Sequence, residues 1–162
     1  MIKKHATGTT TVEFAIVAAA LFMMIFGVLE VGRAYFVYAM LDEVTRRAAR
    51  LATVCPVSDP AIPQLAIFNT SGDSSESGLV NNLVPSNVVI DYLNAAHAVV
   101  ALPSTAAGFA QIRYVRAQIV GFQHQMYVPF VDDLASFFMP AFESSLPRES
   151  LGIPREGTIT PC

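Results

Sequence analysis

Glu13 is the residue whose chemistry needs explaining first, because it places a carboxylate at the lip of an apolar run, Phe14 to Leu29, that carries no charge. A carboxylate there has two physical uses. With Thr10 three residues earlier it has the spacing of a capping box, in which the Thr side chain and the Glu carboxylate satisfy each other's backbone N–H groups at a helix start. Alternatively it neutralises a cation, since a lone carboxylate at membrane depth costs a few kcal/mol and such residues are normally paired. Capping does not account for Gly8 five residues before Glu13, for Lys3, Lys4 and His5 before that glycine, or for the apolar run that begins at once.

The other side chains capable of chemistry do not assemble into a motif. His97 and His124 are isolated from other metal-ligand types, and the chain has no Cys-x-x-Cys, no Gly-x-Ser-x-Gly and no phosphate-cradling glycine loop. Asp132 and Asp133 are most simply read as capping or opening a short helix over 130–138 that ends before Pro140. Arg148 beside Glu149 suggests a local surface ion pair. The expectation is therefore no catalytic residue, no metal, no cofactor and no enzymatic activity. A net charge of −3, with no basic block beyond Arg46, Arg47 and Arg50, also removes nucleic acid as an expected partner.

The elements that must position Glu13 can be read from the distribution of residues. All ten prolines lie from Pro56 onward, so residues 9–53 read as one helix interrupted by nothing stronger than Gly27 and Gly32, with a length of about 67 Å. Its first part, extended by Thr10 to Val12 and by Val31, approaches the ~20 residues that a ~30 Å hydrocarbon core requires, with Glu13 and Glu30 near the two borders. The overall 53% hydrophobic and 14% charged composition agrees with membrane insertion. A buried soluble helix and a secretory signal peptide are the alternatives, and Gly32-Arg33-Ala34 is a poor small-x-small cleavage site for the latter. Lys3, Lys4 and His5 on a short N-terminal segment keep that end cytoplasmic, so the chain beyond the span is exported.

Past the span the helix becomes amphipathic. Val37, Leu41, Val44, Ala48 and Leu51 form a seam at alternating spacings of four and three, and Glu43 sits within reach of Arg46 and Arg47 on the other face. A seam of this kind requires a cover. Candidate strands at 87–93, 98–102 and 112–122 supply it, the last alternating Arg113, Val115, Ala117 and Ile119 against Ile112, Tyr114, Arg116 and Gln118; residues 69–78 read as a polar loop. The predicted class is α+β: a long N-terminal helix, membrane-spanning in its first half, packed against a small antiparallel sheet in the exported domain.

Gly8, the basic flank, Glu13 and the apolar run together resemble the leader of type IV pilins and pseudopilins, and the continuation VEFAIV, GVLEVGR, RRAARLA is similar to TadE-like minor pilins of tight-adherence (Tad/Flp) systems. The resemblance implies cleavage after Gly8, a mature chain beginning at Thr9, and Glu13 as its fifth residue. Thr9 stands where the better-known branches carry Phe or Met. It further implies that Glu13 pairs with the Thr9 ammonium of a neighbouring subunit, with the prepilin peptidase, other pilins, Tad assembly proteins and membrane lipid as partners.

The expected organisation is a leader over 1–8, a transmembrane helix over 9–32, its exported continuation over 33–54 and an exported α+β domain over 55–162. That places a single-pass protein in the inner membrane, with incorporation into an extracellular pilus as a further expectation. The alternative is a permanently anchored envelope protein whose exported domain binds a ligand or partner. In an exported domain Cys55 and Cys162 could close a loop of roughly a hundred residues; two unpaired thiols, or pairing with another chain, are the other arrangements.

Overall fold

A computed structural model of the chain describes residues 7–69, 76–127, 136–153 and 162. Helix α1 (Thr7–Val54) is 48 residues long and runs without a break from the apolar segment into the amphipathic one. At 1.5 Å per residue it extends about 72 Å. The first half is long and apolar enough to cross a membrane, and its most apolar stretch is not buried by the rest of the chain. The second half carries the core. Val37, Leu41, Val44 and Ala48 of the expected seam are buried, Leu51 is half-buried, and Thr45, Ala49, Ala52 and Thr53 broaden the buried face. Both threonines return their hydroxyls to the helix backbone, Thr45 to the Asp42 carbonyl at 2.7 Å and Thr53 to the Arg50 carbonyl at 2.8 Å. In this way each hydroxyl enters the core already bonded.

The cover is a three-stranded antiparallel sheet in the order β1 (Val88–Leu93), β2 (Tyr114–Ile119), β5 (Phe142–Pro147). Val115, Ala117 and Ile119 of β2 are buried and the residues between them are partly exposed, so the predicted alternation holds within the strand. It fails just before it, where Ile112 is buried and Arg113 exposed. On the wetter face Asp91 of β1 stands opposite Arg116 of β2 and accepts its guanidinium at 2.7 Å. Short helices α2 (Ala61–Ala66) and α3 (Ala106–Gln111), a 3₁₀ turn at Pro85–Asn87, and a two-stranded sheet of β3 (Gln123–Gln125) and β4 (Ser136–Phe138) complete the described elements.

Several expectations are corrected. Residues 98–102 form no strand: Val99 makes a single bridge to Leu93, because the chain turns at Asn94, whose side chain accepts from the Ala96 and Ala98 amides. Of the expected helix over 130–138, residues 136–138 are instead strand β4 paired with β3; Asp132 and Asp133 lie outside the described residues. Of the expected loop over 69–78, residues 70–75 also lie outside them. Arg46 pairs with Asp42 at 2.8 Å, one turn back, rather than with Glu43, and Arg47 lies over the Phe68 ring. Arg148 turns inward from Glu149: it donates to the Phe109 and Ile112 carbonyls and stacks on Phe109.

The C-terminal segment closes the fold onto the end of α1. Leu151 and Gly152 donate their amides to the Thr53 and Val54 carbonyls, and Ser150 donates its hydroxyl to the latter. These are carbonyls that a helix end leaves without intrahelical partners. Gly152 has φ +79°, and a Cβ there would lie 2.7 Å from Pro56, so glycine is required by both backbone and space. Cys55 and Cys162 are joined by a disulfide across a sequence separation of 107.

Candidate functional site

Two places on α1 carry the polar chemistry. The first is the start of the helix. Gly8, Thr9 and Glu13 all lie within α1 and are exposed. Because the helix already includes Thr7, Thr10 is an interior residue and the capping-box reading of Thr10 and Glu13 does not apply. Thr9 and Glu13 are four residues apart and therefore share a face about 6 Å apart along the axis, with helical side chains inclined toward the N-terminus. A cut after Gly8 would bring a new ammonium to the end toward which the Glu13 carboxylate inclines. Among the described residues, a Cβ at Gly8 would meet nothing within 4 Å. The basic residues Lys3, Lys4 and His5 lie outside the described residues.

The second place is where the apolar half of α1 meets the domain, and sequence reasoning did not assemble it. Glu30 is buried, at 8% exposure, even though the residues immediately around it on the helix are open. Arg33, one turn on, grips its carboxylate with both Nη2, at 2.5 Å, and Nε, at 3.2 Å. The backbone of Tyr127 lies beside that carboxylate. His124 of β3, 2% exposed, brings Nε2 to 3.4 Å from Glu30 Oε1. Arg33 additionally donates to the Gln125 carbonyl and lies over the Tyr127 ring, 4.5 Å from its centroid. One carboxylate and one guanidinium thus tie β3 and the residues after it to the helix.

Desolvation inside this contact holds the His124 imidazole below its usual pKa of 6.5, and the neighbouring Arg33 charge acts in the same direction; Glu30 opposes both. The neutral imidazole is the favoured form. A cavity of about 240 Å³ opens beside the group, lined by Arg33, Phe36, Val80, Asn82, His124 and Tyr127 among others. The signal available in sequence was the pair Glu30 and Arg33 at helical spacing; nothing local points to His124, 94 positions beyond Glu30.

Among the described residues no group of three or more His, Cys, Asp or Glu is placed to hold a metal ion. The arrangement at both places is suited to charge neutralisation and attachment. Residues 8–50, within α1, match the family model described as TadE-like protein. No curated protein and no solved structure matches the chain.

Proposed function

We propose, from the premise that residues 8–50 are TadE-like, that the protein is a minor pilin or pseudopilin that takes part in assembling a Tad-type adhesive pilus after its leader is removed. The observation that carries this reading is the coincidence of the family match with α1. The matched segment contains the cleavage-type Gly8-Thr9 junction, Glu13, the exposed apolar half and the first buried turns of the seam. The match supports a Tad pilus-associated protein; leader processing and the pairing of Glu13 with Thr9 are the finer parts of the proposal.

In the proposed sequence of events the first half of α1 holds the protein in the inner membrane with residues 55–162 exported, the prepilin peptidase cuts after Gly8, and the Thr9 ammonium then needs a counter-ion in an apolar setting. Glu13 of an adjoining subunit provides it. The same apolar half that contacts lipid before assembly contacts other pilins afterwards, which accounts for the apolar surface its own chain leaves open. The exported disulfide-bonded domain stays outside the helical bundle.

Mass spectrometry of the N-terminus in the native membrane tests the reading. A mature chain beginning at Thr9 is expected. An intact Met1, or a cut beyond residue 30, overturns the pilin reading and leaves the permanently anchored envelope protein.

A further inference from the structure

The residues that encircle α1 just beyond its apolar half have an unusual combination of properties: their charges are spent on one another, and what remains exposed is aromatic. Arg33 is bound to Glu30 and to the Gln125 carbonyl, and it covers one face of Tyr127. Tyr127 is nevertheless 58% exposed and Tyr35, on the other side of the helix, 73%. Phe36 and Tyr38 are about half exposed. On the flank away from Arg33, Tyr35 and Tyr38 join Ala34, Met139 and Pro140 around a shallow, open, largely apolar hollow of about 520 Å³. Aromatic surface therefore lies on both flanks of the helix at one height.

That height is set by the span. If the apolar segment ends near Gly32, Tyr35 is about 4.5 Å and Tyr38 about 9 Å further along the axis, before their tilt back toward the N-terminus. The headgroup layer on each side of a ~30 Å hydrocarbon core is roughly 5–8 Å thick. Arg33 and the Tyr127 attached to it fall inside that layer, as does Tyr35. Tyrosine is favoured at this depth because its ring is apolar and its hydroxyl remains wet. Bulk water would leave these rings unburied, whereas the hydrocarbon core would strand their hydroxyls.

We infer that the rim formed by Arg33, Tyr35, Phe36, Tyr38, Tyr127 and the Met139–Pro140 shelf is a membrane-interface surface, seated in the headgroup layer of the leaflet on the exported side. The inference rests on the reading of α1 as a membrane span, with which the rim is continuous. Glu30 is its anchor: by holding Arg33, which itself donates to the Gln125 carbonyl, and by facing His124 at 3.4 Å, it fastens the β3 end of the domain down against the leaflet. Since the Arg33 charge is already neutralised, attraction to anionic lipid contributes little, and the rim takes a neutral phosphatidylcholine surface as readily as an acidic one.

The chain contains no Trp, so single reporters are unambiguous. The full-length protein is reconstituted as Tyr35→Trp, Tyr127→Trp, Phe22→Trp or Phe109→Trp in phosphatidylcholine vesicles, with lipids brominated either near the carbonyl end or near the chain terminus. Tyr35→Trp and Tyr127→Trp are expected to lose about half their emission to the shallow bromines and much less to the deep ones, with no change when a third of the lipid is phosphatidylglycerol. Phe22→Trp, within the span, should show the reverse depth preference, and Phe109→Trp, within α3, neither. Quenching of Phe22→Trp while both rim reporters emit as in water overturns the inference and leaves the span intact. Failure to quench Phe22→Trp removes the membrane reading and the inference with it. Rim shielding that appears only as the protein-to-lipid ratio rises assigns the surface to a second copy of the chain and also overturns it.

Discussion

At the residue scale, Glu13 and His124 present opposite electrostatic problems. Glu13 is exposed on the open part of α1, so its proposed value arises only when another subunit brings a cation to it. Replacing it by Gln keeps size and hydrogen bonding and removes the charge, which leaves the neighbour's ammonium unpaired in an apolar bundle. Glu13→Gln should therefore be inserted and cleaved normally, yet lose pilus production and co-purification with partner pilins; assembly at the parental level would remove the proposed role. His124 is already enclosed, and its pKa lies below 6.5 chiefly through desolvation. The unfolded chain takes up this proton as pH falls through about 6.5 while the folded one resists, so its contribution to stability is complete above that value and declines below it. Glu30 and Arg33 from α1 are the charged groups that act on it, and of the two only Glu30 favours its protonation. Denaturant midpoints of the detergent-solubilised chain should fall between pH 7 and about 5, and His124→Gln should flatten that slope. An equal slope in both proteins would show that another group is responsible.

At the scale of elements, α1 is one helix with an open apolar half and a half buried against the sheet. No Pro interrupts it, yet the residues that stabilise it against unfolding lie almost entirely in its second half, where Leu41 and Val44 are fully buried against the sheet. Tyr38 continues that contact at the rim with an edge-on approach to Phe142 of β5, centroids 4.9 Å apart. Leu41→Ala removes a fully enclosed side chain and should cost about 2 to 5 kcal/mol in domain stability. Phe22→Ala, in the open apolar half, should change domain stability by less than about 0.5 kcal/mol. Urea titration of both variants in the same detergent checks the pair. Comparable losses would mean that the two halves unfold as one unit.

For the molecule as a whole, the decisive connection is the disulfide that returns Cys162 to Cys55 at the end of α1, across 107 positions. Together with the Leu151 and Gly152 amides on the last helical carbonyls, it fixes the distal end of the helix to the end of the domain. The opposite end of the buried half is held by Glu30 and Arg33. The domain is thus secured to α1 at two points, one at the end of its apolar half and one at the tip. In the chain-entropy picture a loop of this length contributes about 4 to 5 kcal/mol. Cys55→Ser should lower stability by that order, and dithiothreitol should bring the parent protein to the same level without affecting the variant. If the reduced parent protein retains its full stability, the second attachment is sustained by packing and backbone hydrogen bonds alone.

The features legible in the amino-acid sequence are those written in neighbouring residues. A proline-free run with a four-three apolar seam yields α1, and β-branched stretches yield β1 and β2, because helix periodicity and strand alternation are local properties of the chain. Glu13, Gly8 and the apolar run were likewise visible as a contiguous pattern. Strand β4 was not, because three residues at 136–138 have no strand stability of their own and take it from pairing with β3. Nor was the pairing of Cys55 with Cys162, since two cysteines in a sequence do not say whether they meet. The contact of His124 with Glu30 was equally hidden: it exists only because β3 folds back onto the turn of α1 where its apolar half ends, and the two residues carry no mark of each other until the tertiary fold removes both from water.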